Sequence, residues 1–125
     1  AKEYFNIKKN ADVAESDLEN EHIFVKANQK LIKLAYSDIY YIEAFADYVK
    51  IFLEDKKIVT LQTMKNMEKR LPAELFSRVH RSYIVNREHV DSFSTSGCEV
   101  NGVKMPIGKN YKEDFVGLMK SKNIL

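Results

Sequence analysis

Residues 39–61, IYYIEAFADYVKIFLEDKKIVTL, read as three consecutive β-strands. Ile39–Phe45 is rich in β-branched and aromatic residues, the types that pack on a pleated, half-buried surface. Ala46-Asp47 interrupts it. Tyr48–Glu54 then alternates apolar and polar side chains, the period-two pattern of a strand with one face buried. Asp55-Lys56 forms a second turn into Ile58–Leu61. A helix would need apolar residues at three- and four-residue spacing, and this stretch lacks that spacing.

The pattern extends in both directions. Upstream, His22–Lys26 and Lys30–Leu34 flank a polar turn at Asn28-Gln29 and read as a hairpin. Downstream, Leu61, Met64, Met67, Glu68 and Leu71 fall at helical spacing, with Thr63 as N-cap and Pro72 as terminator. The methionines on that stripe are read as core filler. Phe76–Val90 has mixed character and no sustained period. Ser92–Thr95, Cys98–Val100 and Val103–Ile107 spell a meander turned at Ser96-Gly97 and Asn101-Gly102. Asn-Gly favours the positive φ that a tight hairpin needs at both turn positions. Tyr111, Phe115, Leu118 and Met119 give a short C-terminal helix its apolar face. The expected fold is mostly β: about eight short strands with one internal and one C-terminal helix, an order that fits an antiparallel sandwich or open barrel.

With 125 residues, 45% of them hydrophobic and 30% charged, the chain has the composition of one globular domain. Three of the twenty Lys and Arg and five of the eighteen Asp and Glu lie in residues 1–20, so residues 21–125 carry a net charge of +4. Residues 1–20 show no period and are expected to be a linker from an upstream domain; residues 21–125 are expected to form the domain proper. No apolar run approaches the ~18 residues of a membrane span and no signal sequence is visible, so a cytoplasmic protein with no membrane partner is expected. A single cysteine, Cys98, leaves no intrachain disulfide, and it is read as a half-buried strand residue. His22, His80 and His89 lack metal-ligand spacing, and four scattered glycines make no phosphate loop. No enzyme, metal or cofactor is expected.

Phe76–Asn86, FSRVHRSYIVN, alternates polar donors (Arg78, His80, Arg81, Ser82, Asn86) with apolar anchors, as a rigid segment exposing donors would. Arg can bridge guanine O6 and N7, whereas Ser, His and Asn serve as phosphate donors. This segment resembles the core of the LytTR (LytR/AlgR-type) family of bacterial DNA-binding domains. Asp38-Ile39-x-Tyr41-Ile42-Glu43-Ala44 followed by Tyr48-Val49 resembles a second family signature. Pro106-Ile107-Gly108-Lys109-Asn110-Tyr111 is similar to a third. The resemblance covers roughly residues 22–120.

That resemblance implies small antiparallel β-sheets in an elongated sandwich-like arrangement, and sequence-specific duplex binding as the output domain of a two-component transcriptional response regulator, with loops inserted into the major groove. It assigns Arg81, Lys109 and Asp47 to bases. His80, Ser82, Lys50, Arg78, Asn110 and Lys104 fall to the DNA backbone. Asp47 can accept from cytosine N4 or, alternatively, cap its own turn. His80 can donate to phosphate or brace its loop, and the lesser alternative for Lys109 is a surface lysine at a helix start. Many relatives have Gly-Asn or Gly-Asp where this chain has Ala46-Asp47, and Ser-Arg where it has Gly108-Lys109. Lys lacks the two-pronged fork of Arg, which weakens the base assignment at that position. Glu43 is expected to be structural, bonding Arg78 or a loop N–H, while Tyr41, Ile42, Val79, Tyr83 and Val85 are expected in the core. The implied partners are DNA with repeated sites, an upstream receiver domain and a weak or DNA-induced second copy. Two other readings stay open: a β-domain gripping an acidic protein through the same loops, and a single-strand binder stacking bases on Tyr40, Tyr48 and Phe52.

Overall fold

The computed structural model describes residues 21–120. The expected linker, residues 1–20, lies outside the described residues. Among the described residues, ten strands and two α-helices follow one another. The strands are β1 (His22–Ala27), β2 (Lys30–Ala35), β3 (Tyr41–Phe45), β4 (Tyr48–Phe52) and β5 (Lys57–Leu61), then, after helix α1 (Met64–Arg70), β6 (Phe76–His80) and β7 (Tyr83–Asn86). β8 (Val90–Phe93), β9 (Gly97–Val100), β10 (Val103–Pro106) and helix α2 (Lys112–Lys120) complete the order. All pairing is antiparallel, in a β1-β2 hairpin, a β10-β9-β8 sheet and a central sheet ordered β5-β4-β3-β7-β6.

The middle of the central sheet is covered on both faces, and alternation sorts its side chains there between two cores. Ile42, Ile51 and Ile84 join a core closed by the β1–β2 hairpin and by Met64 and Met67 of α1. Tyr41, Val79 and Val85 point the other way, into a core shared with Cys98, Val100 and Met105 and with Phe115 of α2. Ile42, Val79, Val85 and Phe115 are all essentially inaccessible. Truncating one of them to Ala would cost about 3 kcal/mol in lost transfer energy and cavity. Tyr83, expected in the core, is only half-buried.

Local chemistry sets the turns. Asn28 and Gln29 have φ of 54° and 64°, and Asn101 and Gly102 have 51° and 80°, the left-handed pairs that suit the twist of a tight hairpin. Thr63 caps α1, its Oγ1 accepting from the Asn66 N–H at 3.1 Å. Leu61, placed on the helix stripe from its spacing, instead ends β5 and is 68% exposed. The largest departure is the β6–β7 hairpin, which has no clear sequence period. A bulge between Arg78 and His80 inserts Val79, shifting the register from Arg78 opposite Ile84 to His80 opposite Tyr83.

Candidate nucleic-acid interface

Strand direction gathers the candidate loops at one end of the central sheet. β3 runs towards the Ala46-Asp47 turn, and β7 runs antiparallel to it, away from the Arg81-Ser82 turn, with Glu43 opposite Tyr83. The two turns are therefore neighbours, and the Ser82 carbonyl accepts from the Ala44 N–H at 2.9 Å. Phe45 lies two residues beyond Glu43, so the first turn protrudes roughly 7 Å past the second. The bulge supplies the third connection. It turns the Val79 carbonyl outward to accept from the Gly108 N–H at 2.6 Å, which docks the loop before α2 on the edge strand β6. Gly108 fits because a Cβ there would come within 3.0 Å of the Tyr111 ring.

Arg78 fastens the second and third loops together. Its Nε donates to the His80 carbonyl at 2.9 Å and its Nη2 to the Arg81 carbonyl at 2.6 Å. Nη1 bonds Glu68 of α1 at 2.8 Å, and the guanidinium lies 5.7 Å from the Tyr111 ring centroid. The side chain is 14% exposed. Its carboxylate partner is thus Glu68, not Glu43. Glu43 instead accepts from the Tyr83 hydroxyl at 3.4 Å. Burial and the Glu43 carboxylate push the Tyr83 phenol above its ordinary range, which keeps it protonated as the donor.

His80 is half-buried, and its Nδ1 accepts from the Ser82 N–H at 3.1 Å across the turn. That bond sets the ring proton on Nε2, leaving Nε2 as a donor. Arg81, Asp47, Lys109 and Asn110 are exposed, and Ser82 is half-buried. Lys50 holds its Nζ 4.2 Å from the Phe45 ring centroid, close to the first turn. Lys104 is set apart, opposite Glu99 on β10 and about 13 Å of extended chain before Gly108.

Two polar residues of the same stretch face inward. Asn86, read from the sequence as an exposed donor, is fully buried. Its Nδ2 donates to the carbonyls of Tyr36 and Ile39, and its Oδ1 accepts from the Glu88 N–H. Arg87 was not singled out by the sequence. It is buried, donating to the carbonyls of Phe76 and Ala73 and to the Ser77 hydroxyl, and so stitches the segment after α1 to the end of β7. Desolvation lowers its pKa, with the Glu74 carboxylate opposing the shift. Polar side chains beside Val85 gave no sequence signal separating these two from surface donors.

The aromatic groups named as stacking platforms are largely occupied. Phe52 stacks on Tyr41 at 4.4 Å and Tyr40 on His89 at 3.8 Å, and both pack against the second core. Only Tyr48 remains substantially open, at 44% exposure. Cys98 is more deeply buried than the half-burial expected of it, and burial pushes its thiol up to about 11. Among the described residues no group of His, Cys, Asp and Glu could hold a metal ion, and no helix is long and apolar enough to cross a membrane.

The family model of the LytTr DNA-binding domain matches residues 29–120, which include all three loops. The chain belongs to the LytTR family. It is 27% identical over 110 residues to the sensory transduction protein LytT of Enterococcus faecalis, a match covering 83% of this chain and 46% of that protein. It is 30% identical over 104 residues to the transcriptional regulatory protein LytR of Staphylococcus aureus, covering 76% and 42%. The chain thus spans about half the length or less of these curated relatives. A solved LytTr DNA-binding domain from Bacillus cereus superposes with a TM-score of 0.66 at 25% identity, covering 79% of this chain and 96% of that one. The mostly β architecture of small antiparallel sheets expected from the sequence is therefore the LytTR architecture.

Proposed function

We propose that this LytTR domain binds double-stranded DNA sequence-specifically, as the output domain of a bacterial transcriptional response regulator, by inserting its three loops into the major groove. The observation that carries the proposal is the convergence of those loops on one end of a rigid sheet, with Arg81, Asp47 and Lys109 exposed there. Rigidity matters because a turn whose backbone is already held by Arg78 presents the Arg81 guanidinium to guanine O6 and N7 without the cost of ordering the loop. Arg81 supplies that contact. Lys109 donates to a base or phosphate at the third loop, and Asp47 accepts from cytosine N4 at the first. Lys50, Ser82, Asn110 and the Nε2 of His80 take phosphates, and Lys104 reaches the flanking backbone. Arg78 acts on DNA indirectly, by holding the second and third loops in register. Two copies occupying repeated sites, and control by an upstream receiver domain, complete the proposal.

Single-strand stacking is disfavoured by the packing of Phe52 and Tyr40. Selection from a random duplex library, followed by titration of the selected duplex and its single strands, tests the proposal. With about five phosphates neutralised, log affinity falls against log salt with a slope of about −4 to −5. Preferential single-strand binding, or no duplex shift at low salt, would overturn it.

A further inference from the structure

The tip of the β3–β4 hairpin carries more apolar surface than a turn needs. Phe45 is 50% exposed, Tyr48 44% and Leu61 68%. Register aligns them, with Phe45 opposite Tyr48 and Tyr48 opposite Leu61, so the three form a row across one face of β3, β4 and β5. The cover over this face stops before the tip: Phe52, four residues along β4, is already packed against the second core. The two aromatic rings therefore flank Ala46-Asp47 on the most protruding of the three loops.

We propose that Phe45 and Tyr48 are specificity-determining residues that read thymine 5-methyl groups in the major groove. This rests on the DNA-binding reading above and adds which base feature the first loop selects. The thymine methyl is the one apolar feature among major-groove base edges, so it is the feature that apolar side chains can discriminate. The turn between the rings has only a carboxylate to offer, which suits no guanine acceptor. Lys50, held over the Phe45 ring, turns its ammonium to the neighbouring phosphate and offsets the Asp47 charge.

The test is a scan of the selected operator in which each thymine is replaced singly by deoxyuridine, which removes only the methyl. Wild-type protein loses about three- to fourfold in affinity at one or two positions, the effect of one buried methyl-sized group. In a Phe45→Ser/Tyr48→Ser double variant, the thymine-to-uracil ratio at those positions falls to one. Loss of Lys50 positioning would weaken both duplexes equally and leave that ratio unchanged, and a melting curve checks that the variant folds. An operator that binds well but gives a flat uracil scan, or a ratio that survives in the variant, overturns this proposal and leaves DNA binding standing. A flat scan with self-association that the variant abolishes would assign the row to a second copy and also overturn it. Failure to bind any duplex would overturn both readings.

Discussion

Arg78→Ala separates bracing from DNA contact in the candidate interface. Arg78 donates to two carbonyls of the β6–β7 turn and pairs with Glu68. A hydrogen bond from a charged group contributes about 1.5 kcal/mol at the low end, and both carbonyls become accessible to water on truncation, so no orphaned acceptor adds to the loss. Glu68 is half-exposed, so its pair contributes about 0.5 kcal/mol. Allowing for non-additivity, the variant loses about 3 kcal/mol, or roughly 12 °C in Tm for a domain of this size. Arg78→Lys should lose nearly as much, because one ammonium cannot span both carbonyls and Glu68. DNA affinity falls through loop disorder, while the slope of log affinity against log salt stays unchanged. The assay is a thermal melt of each variant with a salt titration of duplex binding. A Tm within about 2 °C of wild type, with a slope shallower by about 0.9, would make Arg78 a phosphate contact and refute the bracing role.

Ala46 has a φ of 54°, a left-handed conformation costing a non-glycine residue about 1–2 kcal/mol. Ala46→Gly should therefore stabilise the fold by about 0.5–1 kcal/mol after glycine's entropy cost, and a neutral or lower urea midpoint would contradict this. The Cys98 thiol is pushed up to about 11, above its ordinary value, so the buried neutral form favours the fold fully below about pH 9 and that contribution is lost as pH rises through 11. Iodoacetamide should accordingly modify native protein slowly up to pH 9 and rapidly once urea unfolds it; an alkylation rate matching a free thiol in native protein would count against burial. Deleting residues 1–20 should leave Tm within about 2 °C and duplex affinity intact, provided Glu21 stays, because its carbonyl accepts from the Tyr36 N–H at 2.9 Å. A large fall in Tm would show that the segment is packed.

Legibility from sequence tracked local regularity. The alternation of Tyr48–Phe52, the Asn101-Gly102 turn and the Thr63 cap were all readable because each depends on a few adjacent residues. The β6–β7 hairpin was not, because the bulge at Val79 puts consecutive residues out of period and because Asn86 and Arg87 bury polar groups against distant carbonyls. The same limit applies to the interface. Motif resemblance picked out Asp47, Arg81 and Lys109, but nothing local pairs Arg78 with Glu68, ten residues upstream on α1. Glu68 looked like part of a helix stripe. Exposed Phe45 and Tyr48 fit an alternating strand equally well with either face buried, and their exposure depends on the second core reaching Phe52 but not them, which no local pattern encodes.

Arg81→Ala, titrated against one selected operator and one scrambled duplex of equal length, tests the central claim most directly. A fork held in the major groove contributes discrimination of about 1–3 kcal/mol, so the variant should lose roughly 5- to 150-fold on the operator and far less on the scrambled duplex. Its stability should stay within about 0.5 kcal/mol of wild type, because the side chain is exposed. Lys50→Ala provides the contrast, weakening both duplexes alike. Equal losses on both duplexes for Arg81→Ala would contradict base reading at the second loop, and a collapse in stability would make Arg81 a structural residue.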